Sequence, residues 1–181
     1  MEGIYVGYKY YETAAQEGAI DYDKTVQYPF GYGLSYTEFE QKMGELEEKD
    51  GQISVDVEVT NTGDVAGKDV VEVYYEPPYT NGGIEKSSAN LIEFAKTDLL
   101  QPGESQTVTV TFSIEDMASY DENHAKAYVL EKGDYAISIN SDSHTVLDQK
   151  TYTADKDVVY KGENKRASDD TAATCLLYTS P

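Results

Sequence analysis

The chain has 181 residues, room for one domain of ordinary size and part of another. Its 34 acidic against 14 basic residues give a formal net charge of -20, which repels phosphate backbones and anionic lipid and argues against nucleic acid or a membrane surface as a partner. No run approaches the ~20 apolar residues of a membrane-spanning helix, and the start lacks the basic-then-apolar layout of a signal peptide.

In chain order, Ile4-Tyr-Val-Gly-Tyr-Lys-Tyr-Tyr11 is dense in aromatic and β-branched residues and reads as strand or extended chain. Glu12 to Asp23 is polar and weakly patterned and reads as loop. The stretch Tyr28-Pro-Phe-Gly-Tyr-Gly-Leu-Ser-Tyr36 alternates large rings with glycines. Gly31 and Gly33 would allow positive φ and close backbone approach, and Pro29 disfavours a helix. We read it as a tight loop whose rings Tyr28, Phe30, Tyr32 and Tyr36 wedge between two packed bodies; a surface turn with scattered rings is the competing reading.

After Tyr36 the hydrophobic period becomes two. Ile53, Val55, Val57 and Val59 alternate with Ser54, Asp56, Glu58 and Thr60, as a half-buried strand requires. Asn61-Thr-Gly63-Asp and Ala66-Gly67 supply turn residues, and Val70 to Tyr75 resumes a strand that Pro77-Pro78 stops. Leu91 to Leu100 is a weaker strand candidate, Pro102-Gly103 marks a turn, and Val108, Val110 and Phe112 alternate again. Tyr128 to Leu130 and Tyr135 to Ile139 flank Glu131-Lys-Gly-Asp134, a hairpin signal. Thr145 to Leu147 and Val158 to Tyr160 could add edge strands, and the charged, small-residue stretch from Lys161 to Thr174 has the composition of a linker.

Seven or so short strands without a helix-period run between them predict a mainly β protein, an antiparallel β-sandwich of ~100 residues, with a barrel as the alternative. Tryptophan is absent and the one cysteine is Cys175, so the core must rest on aliphatic and tyrosine burial. Asp21-Tyr-Asp23 and Asp121-Glu-Asn-His124 carry oxygen donors but lack the glycine and distal glutamate of a twelve-residue calcium loop, and read as solvated loops. His124 and His144 stand without the paired spacing of a zinc site. Gly31-Tyr-Gly33 lacks the third glycine of a dinucleotide fingerprint, and no cofactor or metal is assigned.

Glu2 to Glu12, followed by the Tyr28 to Tyr36 stretch, resembles the end of the α/β-sandwich domain of glycoside hydrolase family 3, the β-glucosidase and β-xylosidase family. Val59-Thr-Asn-Thr-Gly-Asp-Val-Ala-Gly67, Val70 to Tyr75, Phe94-Ala-Lys96 and Leu100-Gln-Pro-Gly-Glu104 resemble that family's fibronectin type III-like domain. The resemblance implies an immunoglobulin-like β-sandwich over 37–142, preceded over 1–36 by the tail of an α/β-sandwich domain and an interdomain loop. Edge strands and a linker then occupy 143–174. Residues 175–181 read as translated sequencing adapter, and the motif directly after Met1 implies that the natural chain begins upstream. By resemblance the parent is a retaining β-glycosidase, whose two carboxylates sit astride the glycosidic bond. The family's Ser-Asp-Trp type nucleophile motif is missing here: Ser141-Asp142 precedes Ser143, and Ser168-Asp169 precedes Asp170. No catalytic residue is therefore assigned. The expected role is a non-catalytic buttress, with Tyr28, Phe30, Gly31, Tyr32, Gly33 and Tyr36 forming the seam. Its partners would be the parent's α/β-sandwich and barrel domains, and its parent's substrate a carbohydrate. The other class considered is a stand-alone carbohydrate-binding or adhesion module.

Overall fold

The alternation around Val57 becomes the centre of the molecule. A computed structural model describes residues 3–170. In it β2 (Gln52–Asn61) lies between β1 (Phe39–Lys49) and β5 (Ser105–Ser113), all antiparallel. A second sheet runs in the order β4 (Asn90–Lys96), β3 (Val70–Glu76), β8 (Gly133–Asn140), β9 (Val146–Ala154), again antiparallel. Ile53, Val55, Val57 and Val59 of the first sheet face Val71, Val73, Tyr135, Ile137 and Ile139 of the second, and none of these is more than 1% exposed. The two sheets remain separate rather than closing, so the fold is a sandwich and not a barrel. A small third sheet, β10 (Val158–Tyr160), β7 (Ala127–Leu130), β6 (Ser119–Asp121), caps one end.

Three local readings of the sequence are corrected, and one strand is added. The stretch read as extended up to Tyr11 turns helical at Tyr8: α1 spans Tyr8–Gln16 and starts after Gly7, whose φ of 56° makes the turn. The β preference of its tyrosines yields because Tyr8 and Glu12, one helical turn apart, both find partners beneath the helix. Glu12 to Asp23, read as loop, holds the rest of α1 and the start of α2 (Tyr22–Thr25), whose cap Asp21 accepts from the Lys24 N–H. The proposed hairpin through Glu131 to Asp134 is instead a corner between sheets. β7 pairs with β6 and β10, and β8 with β3 and β9; Gly133, at φ 144°, packs against Pro78 there. Finally, β1 had no sequence assignment. Its register shifts between Met43 and Leu46, which breaks the alternation, and Gly44 lies so close to the Asp56 carbonyl that a side chain would collide.

The turn between β1 and β2 is the pair Asp50-Gly51, with φ of 53° and 78°. Positive φ at both positions is what a two-residue hairpin turn needs to match strand twist. At the opposite end, Asn61 is fully buried. Its carboxamide accepts from Thr37 Oγ1 at 2.7 Å and from the Gly63 N–H, and donates to the carbonyls of Val65 and Leu100. The Asn-Thr-Gly motif thus fixes the point where residues 28–36 hand over to β1.

The outer face of the four-stranded sheet is covered as well, by residues 3–36. Tyr74, Ser138 and Asn140 point away from the apolar core, yet each is at most 7% exposed. β9 and β10 are edge strands of their sheets. Beyond them, Arg166 lies over the Tyr128 ring at 3.3 Å and pairs with Asp169, so part of 161–170 rests on the domain. Residues 175–181, read as adapter, lie outside the described residues.

Candidate functional site

The Tyr28 to Tyr36 loop has one face on the sandwich and one face bare. Phe30 stacks on Tyr8 with ring centroids 4.6 Å apart, and Tyr8 meets Tyr74 edge-on at 6.3 Å. The Phe30 carbonyl accepts the Ser143 N–H at 2.8 Å. Gly31, at φ 86°, sits where an added Cβ would be 2.7 Å from a Glu72 carboxylate oxygen; the left-handed backbone favours glycine there, and the Glu72 side chain would also have to shift. Gly33 meets neither condition: its φ is not positive and nothing lies near its missing side chain. Of the two glycines, the fold of this chain requires only Gly31.

The rings divide in the same way. Tyr28 and Tyr32 pair with each other at 5.1 Å but stay 62% and 46% exposed, Phe30 is 48% exposed, and Leu34 and Tyr36 are almost wholly exposed. Tyr10 and Tyr11 form an edge-to-face pair on the outward side of α1. These rings form an exposed apolar cluster on the outward side of the loop and α1.

What holds the loop and α1 in place is polar, and the sequence reading missed it. Glu12, only 7% exposed, accepts from Tyr22 OH at 2.5 Å and Ser143 Oγ at 2.7 Å through Oε1, while His144 Nδ1 lies 2.8 Å from Oε2. The Tyr22 and His144 rings stack in parallel at 3.7 Å. One carboxylate therefore ties α1, α2 and the β8–β9 turn together. That turn is shaped by Asp142 Oδ1, which accepts the N–H groups of His144 and Thr145. Burial pushes the Tyr22 phenol above its usual range and the Glu12 hydrogen bond adds to this, so Tyr22 stays a donor. Further along, Tyr8 OH accepts the Leu91 N–H, Thr13 Oγ1 accepts the Ser88 N–H, and Tyr5 OH donates to Glu85 at 2.6 Å.

Glu72 is the second carboxylate under this face. Burial raises its pKa, partly offset by the Tyr74 hydroxyl that donates to it at 2.8 Å, and Asp142 and Asp69 add to the rise. Glu12 is engaged in holding the covering segment, and Glu72 by the Tyr74 hydroxyl of its own strand. The other acidic candidates are explained locally. Asp121 accepts the N–H groups of Asn123, His124 and Ala125, which organises its own turn, and Asp21 caps α2. Among the described residues no cluster of three His, Cys, Asp or Glu side chains could hold a metal ion.

Residues 69–143 match the fibronectin type III-like domain family. The chain is 40% identical over 177 residues to β-glucosidase A of Butyrivibrio fibrisolvens, an alignment covering 87% of this chain and 20% of that protein. The structure of β-glucosidase 3B from Thermotoga neapolitana in complex with α-D-glucose superposes with a TM-score of 0.75 at 34% identity, over 89% of this chain and 21% of that one. For the GH3 β-glucosidase of Bifidobacterium adolescentis the TM-score is 0.72 at 31% identity, over 85% and 21% of the two chains. The chain thus spans about a fifth of the length of the proteins it matches. Over residues 69–143 the chain carries a fibronectin type III-like domain, and over most of its length it resembles β-glucosidases of glycoside hydrolase family 3.

Proposed function

We propose that this chain is the non-catalytic buttress of a retaining β-glucosidase-like glycoside hydrolase. In this reading the sandwich carries residues 3–36 as the tail of an α/β-sandwich domain, and the catalytic carboxylates belong to the parent's other domains. The observation that carries the proposal is the divided aromatic loop: Phe30 and Gly31 are seated on the sandwich, while Tyr28, Tyr32, Leu34 and Tyr36 are left bare on one side. Their partner would be the rest of the parent enzyme. A seam displaced by an ångström misplaces loops that bear on the glycosidic bond, so the role is geometric although no ring touches the scissile bond.

Two measurements test this. The chain alone is expected to leave an aryl β-glucoside intact; turnover above a buffer blank, lost when an acidic residue of this chain is mutated, would refute the non-catalytic role. In the parent enzyme, Phe30→Ala is expected to lower the Tm and kcat together. A raised KM with an unchanged Tm would instead mark Phe30 as part of a sugar-stacking platform.

A further inference from the structure

The loop between β3 and β4 is fixed at its base and free at its tip. Pro78 packs against Gly133, its carbonyl accepts from Lys86 Nζ, and Lys86 also pairs with Glu131. Between these anchors the chain runs Tyr79-Thr-Asn-Gly-Gly-Ile-Glu85, and its backbone is closed by a single hydrogen bond, from the Gly83 N–H to the Thr80 carbonyl at 2.9 Å. Asn81 and Gly82 form the centre of that turn, and Gly82 has the φ of 81° that a type II turn needs at its second central position. Asn81 is exposed, and nothing lies within 4 Å of the missing Gly82 side chain.

An asparagine attacks itself when the N–H of the next residue is free to reach its side-chain carbonyl carbon. The chain has asparagines at 61, 81, 90, 123, 140 and 164. At Asn61 the following N–H, of Thr62, donates to the Glu38 carbonyl, and at Asn140 that of Ser141 donates to the Thr145 carbonyl. After Asn90 the Leu91 N–H donates to the Tyr8 hydroxyl, and after Asn123 the His124 N–H donates to Asp121. Asn164 is followed by the long side chain of Lys165, and its carboxamide is held by the Val159 carbonyl. The Gly82 N–H, by contrast, donates to nothing among the described residues, and glycine puts no side chain in the way.

We propose that Asn81 is a site of spontaneous deamidation, which turns the neutral tip of this loop into an anionic one. The Gly82 nitrogen gives its proton to solvent base and bonds to Cγ of Asn81; the Cγ–Nδ2 bond breaks, ammonia leaves, and a five-membered succinimide closes. Water then adds to one of the two ring carbonyls. Opening at Cγ leaves aspartate, and opening at the main-chain carbon leaves isoaspartate, whose backbone runs through the β-carbon. One water is consumed and one ammonia released, with no oxidant or reductant. Asn81 shares a cleft with Glu17, which follows α1, and Glu76, which ends β3, while Lys86 in the same wall is already engaged. The new carboxylate therefore faces like charges and no free cation.

The test ages the 181-residue chain at mildly alkaline pH, native and in urea, and maps it by trypsin and mass spectrometry. Peptide 69–86 has Asn81 as its one asparagine. In the native chain this peptide is expected to exchange NH2 for OH before any other, at a rate proportional to hydroxide, with isoaspartate detected by enzymatic carboxyl methylation. Urea should speed Asn140 by roughly tenfold or more but Asn81 by less than about twofold, because a loop tip is open already and a buried strand end is not. Asn81→Gln, whose ring closure needs a sixth atom, should leave the peptide unconverted. Conversion of another asparagine first in the native chain, equal acceleration of Asn81 and Asn140 by urea, or undiminished conversion of the peptide in Asn81→Gln would each overturn the proposal.

Discussion

Glu12→Ala is the sharpest probe of how residues 3–36 are held. The substitution removes the common acceptor of Tyr22 OH, Ser143 Oγ and His144 Nδ1. Hydrogen bonds to a charged group contribute about 1.5–3 kcal/mol each, which caps the gross loss at roughly 4.5–9 kcal/mol. The net effect is smaller, because the His144 side chain is 44% exposed and Tyr22 is half-buried, so water can replace their acceptor. Ser143 at 3% exposed has no such relief and bears the cost of an unsatisfied buried hydroxyl. We expect a net loss of about 3 kcal/mol, equivalent to roughly a hundredfold in an opening equilibrium. The loss should fall on the covering segment and not on the sandwich. Amide hydrogen exchange should therefore speed by about a hundredfold in α1 while β2 and β8 keep their protection. Glu12→Gln, which still accepts from Tyr22 and Ser143, should recover part of the protection. Unchanged exchange in α1, or an equal loss across α1 and β2, would refute the idea that this carboxylate is the anchor.

Gly31→Ala should destabilise the loop by about 1–2 kcal/mol from its left-handed backbone alone, with more from the Glu72 contact, whereas Gly33→Ala should stay within about 0.5 kcal/mol in this chain; denaturant melts of the two variants check the contrast. Ile137→Ala, at a fully buried core position, should cost about 2–5 kcal/mol by the same melts and lower the protection of both main sheets together. The N–H groups of Ala125, His124 and Asn123 hold the Asp121 carboxyl at a pKa of about 2, below the ordinary aspartate value of 3.8. A depressed carboxyl contributes stability above the unfolded value and loses it as pH falls through the folded one, so the Tm advantage of wild type over Asp121→Ala should shrink between pH 4 and 2. A constant advantage across that range would show that the turn does not depend on the carboxylate.

The apolar layer of the sandwich was readable because each strand repeats one simple rule. Val108, Val110 and Phe112 alternate without interruption, and so do Ile53, Val55, Val57 and Val59, the first three of which pair with them. Where the rule is interrupted, the reading failed. The shift between Met43 and Leu46 hid β1, although Asp50-Gly51 beside it is a strong turn signal. The corner at Gly133 looks like a hairpin from inside the chain because sequence cannot tell which partner each flanking strand will choose. The anchor was out of reach for a different reason: Glu12 meets Ser143 and His144 across more than 130 residues, and no spacing rule joins a helix carboxylate to a turn that distant. The Tyr28 to Tyr36 stretch reads in sequence as a loop of rings and glycines, but the split between Gly31 and Gly33 rests on the backbone conformation and on where Glu72 stands.

The four-stranded sheet therefore does two jobs with the two sides of one set of strands. Its inner residues are apolar and mostly buried, and their stabilisation is non-directional and roughly proportional to area. On its outer side Tyr74 meets the Tyr8 ring edge-on and Glu72 lies beneath Gly31, while the β8–β9 turn bonds Glu12 and the Phe30 carbonyl, contacts whose strength depends on geometry. A hydrophobic contact on the outer side would bury as much surface, but it would let the covering helices slide. Fixing them through Glu12, Ser143 and the Phe30 carbonyl ties the position of the bare rings to a single turn, Ser141 to Thr145, at the end of the most buried strand of the sheet. The stiffness of the core is thereby carried to a surface that the core never touches, as the positioning role proposed above requires.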